Sequence, residues 1–287
     1  MKRILNLVLL IIIVFNINAQ ETKIDFLPAG LNFLPIRANI YEPRLGVLYF
    51  PSDRSLKVDI GNSSDVIAIN DLIENVRISL GIDFMAFGLA SSYQGKRLQI
   101  DALDGFFGGN ATLSYKLNHD EFFKVRFRII HNSAHLVDGS YNLNTNTWKN
   151  NYSPVPYARD FLEPTFAYQS GINSGYFRIY FSPSYSVLVR PIELKRWSFN
   201  TGVEFYLDKL IGKTFSKSNN IFCAYQFSLI GVPEYTGNNN ILLGLKMGDY
   251  YSKGINVYLS YYTGIHYFSE YYVQKLQKFG IGFFIDF

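Results

Sequence analysis

The feature that most restricts this chain is a period-two alternation of apolar and polar residues, repeated in segment after segment. Trp197, Phe199, Val203, Phe205 and Leu207 share one parity, while Ser198, Asn200, Gly202, Glu204 and Asp208 share the other. Ile241, Leu243, Leu245 and Met247 oppose Gly244, Lys246 and Gly248. Phe123, Val125, Phe127 and Ile129 oppose Lys124, Arg126 and Arg128. Successive side chains of a strand point to opposite faces, so each segment predicts a strand with one greasy and one wet side. Composition agrees: 48% of the 287 residues are hydrophobic and 17% are charged, against about 25% charged in a usual soluble domain. Such a chain buries surface, which excludes disorder. Cys223 has no second cysteine to pair with, which excludes a disulfide scaffold. A formal charge of +4 without a basic run excludes a nucleic-acid partner.

The first residues read as an address. Met1-Lys2-Arg3 is a basic head, Ile4 to Phe15 is apolar apart from Asn6, and Ala19 precedes Gln20. This predicts a secretory signal peptide over residues 1–19. The run is short of the ~20 apolar residues a spanning helix needs. No Cys stands near the cut, so no lipoprotein anchor is expected. No later stretch is a membrane-helix candidate, so any spanning must be done by strands.

A soluble sandwich also alternates, but three features favour an all-β transmembrane antiparallel β-barrel. Many segments reach the ~9–11 residues of a tilted span. The polar faces carry Gly, Ser, Asn and mixed charges, as a narrow lumen would. The chain also closes on Phe279, Ile281, Phe283, Ile285 and Phe287 in one parity. That ending resembles the C-terminal signal of outer-membrane barrels, which implies handling by the barrel-assembly machinery and residence in the outer membrane of a Gram-negative bacterium. Twelve strands are expected, at 56–61, 76–90, 97–104, 109–118, 122–136, 157–170, 174–190, 196–208, 219–231, 238–248, 254–264 and 279–287. Residues 20–55 read as an irregular segment, periplasmic or a plug, and 56–287 as the barrel. Pro164 and Pro183 fall inside expected strands, where each costs a ladder donor, so bulges or displaced strand ends are expected there.

Chemistry could lie in Arg128-Ile129-Ile130-His131-Asn132-Ser133-Ala134-His135-Leu136-Val137-Asp138. His131, Ser133 and His135 share the parity of Phe127 and Ile129, which turns them outward near the upper rim. They are either an inert interfacial rim or a site of nucleophilic hydrolysis. A serine hydroxyl needs a neighbouring base, and a histidine two residues away shares its face. His131 would then be the base and Ser133 the nucleophile, with Asp138 or Asp160 as the orienting acid. A metal at His131 and His135 fails on distance, since ~13 Å of strand separates them at ~3.3 Å per residue.

The outward His131-x-Ser133 pair is similar to the active sites of outer-membrane phospholipase A and the lipid A deacylases, although Ala134 stands where those families place Asn. The resemblance implies outer-membrane lipids as substrate partners. No cofactor follows from the deacylase pattern, while the phospholipase pattern would bring a calcium requirement. More broadly, Ile40-Tyr41-Glu42-Pro43-Arg44, the 128–138 segment and Tyr157-Ala158-Arg159-Asp160 resemble landmarks of the domain-of-unknown-function family 1207, secreted β-rich proteins without an assigned activity. The inward Lys124, Arg126 and Arg128 suggest either an anionic partner or internal pairing with acids such as Asp101 and Glu163. The functional expectation is therefore an outer-membrane barrel with a closed lumen, with outer-leaflet acyl-ester hydrolysis and narrow small-solute passage as alternatives.

Overall fold

The alternating segments become twelve antiparallel strands, each paired with the next and the last with the first, so that the sheet closes into a barrel. In the computed structural model these are β1 (Leu45–Phe50), β2 (Ser55–Asn70), β3 (Val76–Tyr93), β4 (Arg97–Lys116), β5 (Glu121–Leu136) and β6 (Tyr157–Ile172), followed by β7 (Gly175–Arg190), β8 (Trp197–Leu207), β9 (Lys217–Gly231), β10 (Tyr235–Met247), β11 (Gly254–Ile265) and β12 (Lys275–Asp286). The structure describes residues 22–93, 97–149, 153–208 and 210–287, without the side chains of Tyr93, Arg97 and Asp138. The expected signal peptide lies outside the described residues. No helix among them is long and apolar enough to cross a membrane.

The parity reading holds along the wall. Ile179, Phe181, Phe205, Leu243, Leu245, Val257, Leu259, Ile281 and Phe283 are exposed on the outer face, while Arg178, Glu204, Lys246 and Asn256 are buried inside. The strand list changes in two places. The expected strands at 97–104 and 109–118 are a single 20-residue strand, β4. Gly105, Gly108 and Gly109 look like a break but continue the ladder, paired with Ser133, Ile130 and Ile129. The strand that restores the count of twelve is β1, inside the segment read as irregular. It does not alternate because its inner face is also apolar: Leu48 and Phe50 are buried in the aromatic core of the lumen. Pro164 and Pro183 do not make bulges of their own. The β6–β7 ladder keeps one register from Phe181↔Phe166 to Tyr185↔Leu162 and skips the stretch holding both prolines, while the register break falls between Ser186 and Leu188. One gap thus absorbs both missing donors.

Twelve strands bring residues 44 and 286 to the same end of the barrel, the near end. The 137–156 and 266–274 loops then lie at the far end, and the short 117–120 and 173–174 turns at the near end.

The lumen is occupied from both ends by the chain itself. At the near end, Lys23–Phe26 adds to the edge of β2, and the following residues turn inward as a plug. Arg178 donates to the carbonyls of Leu34 and Pro35 at 2.7 and 2.9 Å, and Asn240 donates to that of Ala38 at 2.7 Å. Arg37 reaches Asn256 at 2.8 Å and Asp286 at 3.3 Å. Glu42, fully buried, takes both terminal nitrogens of Arg126 at 2.5 and 2.9 Å. At the far end the 266–274 loop folds back as a cap. Ser269 donates its amide and hydroxyl to Asp104 at 2.9 and 2.6 Å. Tyr267 stacks on Phe50, and burial holds the His266 ring neutral, its pKa pushed down to about 3.

Burial alone would raise the pKa of Glu42, but Arg126 and Arg128 more than reverse this and hold it at about 2. Against an ordinary glutamate near ~4.3, that difference is on the order of 3 kcal/mol. Because the folded pKa is the lower one, this contribution is complete above about pH 5 and is lost as pH falls toward about 2. Acidification through that window is therefore expected to speed hydrogen exchange of the 32–44 backbone. Glu42→Gln should do the same at neutral pH, since removing one partner of a buried ion pair costs about 3–5 kcal/mol. Unchanged exchange in both experiments would show that Glu42 does not hold the plug.

Candidate active site on the outer wall

Strand β5 is hydrogen-bonded to β4 on one side and β6 on the other, so its outward residues have fixed neighbours. His131 lies between Phe107 and Asp160, and Ser133 between Gly105 and Ala158. The His131 ring packs on Phe107 with centroids 4.9 Å apart. Its Nδ1 lies 2.5 Å from Asp160 Oδ1. Both side chains are a little over a third exposed, so the pair sits at the wall's surface rather than in the lumen.

Asp160 is the residue that meets His131. Asp138 opens a short helical turn beyond the end of β5, and its side chain lies outside the described positions. With Nδ1–H donated to Asp160, the Nε2 lone pair is left to take a proton from a neighbour, the arrangement that activates a serine. Ser133 stands two residues along the same face, ~6.6 Å up the strand. Small neighbours surround it: a Cβ placed on Gly105 would lie 3.8 Å from the Ser133 hydroxyl. The hydroxyl therefore occupies a notch in the wall. His135, the next outward residue, is exposed.

Below the notch the same face carries a shallow groove. Its floor is Gly108 and Gly109, its sides are Phe107, Phe127, Ile129 and Val187, and His131 and Asp160 close its upper end. Gly108 is required by close approach, since a Cβ there would fall 1.9 Å from the Ile129 carbonyl oxygen. Gly109 points outward between Ile82 and Ile129 without filling the space. Both glycines sit in the paired ladder, so their amides are not free oxyanion donors. Gly139 packs against the Ile100 carbonyl.

The inward basic residues found internal partners. Lys124 donates to the Asn32 carbonyl at 3.0 Å, Arg126 is held by Glu42, and Arg128 pairs with Glu163 at 2.6 Å. Asp101 bonds Lys149 at 3.2 Å instead. Sequence reasoning identified Glu163 as a partner but missed Glu42, which sits in the non-alternating stretch before β1. No family model and no curated protein matches this chain, so the resemblance to family 1207 rests on its sequence landmarks.

A serine activated in this way should react with a lipophilic fluorophosphonate. In detergent micelles, wild-type protein is expected to take one label, found on the peptide containing Ser133. Ser133→Ala should take none, and His131→Ala should label at least ~100-fold more slowly, the usual scale of a positioned base. A label that persists in Ser133→Ala would assign the reactivity elsewhere.

Proposed function

We propose that this protein is an outer-membrane β-barrel with a closed lumen, whose working surface is the outer wall of β5 and β6, where Ser133, His131 and Asp160 hydrolyse acyl esters of outer-leaflet lipids. The observation that carries the reading is the His131–Asp160 hydrogen bond, 2.5 Å long, on an apolar face. A polar, oriented dyad is expensive against hydrocarbon and belongs where it does work. The apolar exterior of twelve strands supports the membrane setting. The even strand number would put both chain ends on the periplasmic side and His131 near the outer leaflet. The plug and the cap support a closed lumen and weigh against solute passage.

In this reading His131 takes the Ser133 proton as the hydroxyl attacks the ester carbonyl, and then returns it to the departing alkoxide. Asp160 holds the imidazole in the donating tautomer and stabilises its cation. Water repeats the sequence on the acyl-serine and releases a fatty acid. The groove below gives the acyl chain a bed running down toward the membrane middle.

The test is mass spectrometry of phospholipid and lipid A acyl chains from a deacylase-free Gram-negative host expressing each form. Wild type should produce a lipid class shortened by one acyl chain. Ser133→Ala and His131→Ala should each abolish it, with the double variant losing little more, because members of a triad act as a unit. A wild-type profile equal to that of Ser133→Ala sinks the enzyme. Planar-bilayer recordings test the closed lumen: no stable conductance is expected, and large regular steps would overturn it.

A further inference from the structure

The lumen contains a second built feature, independent of the outer wall. Between plug and cap lies a cavity of about 50 Å³, lined by Tyr41 of the plug, Ser269 of the cap and the inner faces of β5 to β8. Two buried side chains on it carry atoms with no hydrogen-bond partner, Arg128 Nη1 and Asn132 Oδ1. Arg128 is 1% exposed and Asn132 is 4% exposed. The Nε and Nη2 of Arg128 are taken by Glu163. Its Nη1 stands 3.7 Å from Glu42, too far for a hydrogen bond. Asn132 donates its amide to Ser269 at 3.4 Å, which leaves the amide oxygen facing the cavity. Arg159, directly across the ladder from Asn132, also lines it. Arg159 bonds Ser186 and Tyr157 and, among the described residues, forms no ion pair.

Buried polar atoms are nearly always paired, by protein, water or ligand. Here the free nitrogen of Arg128, whose partner Glu163 also lines the space, a guanidinium without an ion pair among the described residues and a neutral acceptor converge on one cavity. We propose that this cavity binds a small oxyanion that still carries a proton, hydrogen phosphate being the simplest. Its ionised oxygens accept from Arg128 Nη1 and Arg159, and its O–H donates to Asn132 Oδ1. Sulfate has the same charge and shape but no proton at neutral pH, so it leaves the Asn132 oxygen unpaired. A phosphate monoester on a lipid headgroup offers the same atoms, but the strand wall and the cap stand between the cavity and the bilayer, so the free anion is the ligand.

The test is calorimetric titration of the detergent-solubilised full chain with inorganic phosphate, with sulfate, and with phosphatidic acid in mixed micelles. Phosphate should bind, and sulfate should bind at least roughly tenfold more weakly, as expected when a site built for a donor loses it. Phosphatidic acid should not bind. Asn132→Leu and Arg159→Gln should each weaken phosphate by roughly tenfold or more, and the heat-dependent gel shift of a closed barrel shows that each variant is folded. If Asn132→Leu does not fold, Arg159→Gln decides. Absence of phosphate binding, sulfate binding equal to phosphate, binding of phosphatidic acid in its place, or variants that bind as well as wild type would each overturn the assignment.

Discussion

A charge turned into a narrow barrel is costly unless opposite charges, carbonyls or other polar groups take it, because there is too little water inside to solvate it. The inner wall carries Arg126, Arg128 and Arg178 with less than 6% of each exposed. Glu163 and Glu204, both on the wall, take Arg128 and Arg178. Among the described residues Arg126 has no acidic partner on the wall, and its ion pair is with Glu42 of the plug. The plug is therefore a structural requirement of the lumen rather than an accessory. The barrel supplies the cation and the stretch before β1 supplies the anion. The same stretch offers the Leu34 and Pro35 carbonyls to the remaining donors of Arg178.

This division explains what could be read from the residues alone. Alternation was legible wherever one face met an apolar exterior and the other a polar lumen, as along β8 and β10. It failed where the lumen itself is aromatic. Strand β1 presents Leu48 and Phe50 inward, so both its faces are apolar and the period vanishes. It failed again at Gly105, Gly108 and Gly109, since a strand glycine resembles a turn until the partner strand is known. The plug stayed open against a periplasmic segment, and the cap was missed, because the placement of both is set by the wall: Ser269 meets Asp104 across 165 residues of chain. The outward placement of His131, Ser133 and Asp160 did follow from parity. The meeting of His131 with Asp160 needed the β5–β6 register.

The glycines that hid β4 also shape the outer wall. A side chain at Gly105 would come into contact with Ser133, and one at Gly109 would enter the groove beneath His131. The proposed site thus uses sheet positions without side chains to make a recess in a surface otherwise covered by Phe, Ile and Leu. Val187 flanks the same groove at the register break of the neighbouring β7. Bulges re-aim side chains and locally increase twist, and this one falls where β7 passes Asp160, opposite Leu188.

Strand β5 finally links the two proposals mechanically. Its outward residues His131 and Ser133 alternate with inward Arg128, Ile130, Asn132 and Ala134. A slip of one residue in its pairing would exchange the faces, placing guanidinium groups on the apolar outer wall and the His131 site in the lumen. The Arg128–Glu163 pair inside and the His131–Asp160 pair outside both bridge β5 to β6, in the same register. Each pair therefore penalises a slip that would break the other. The inner pair thus adds a buried contact to the ladder that already holds β5 and β6 in the register the outer dyad uses.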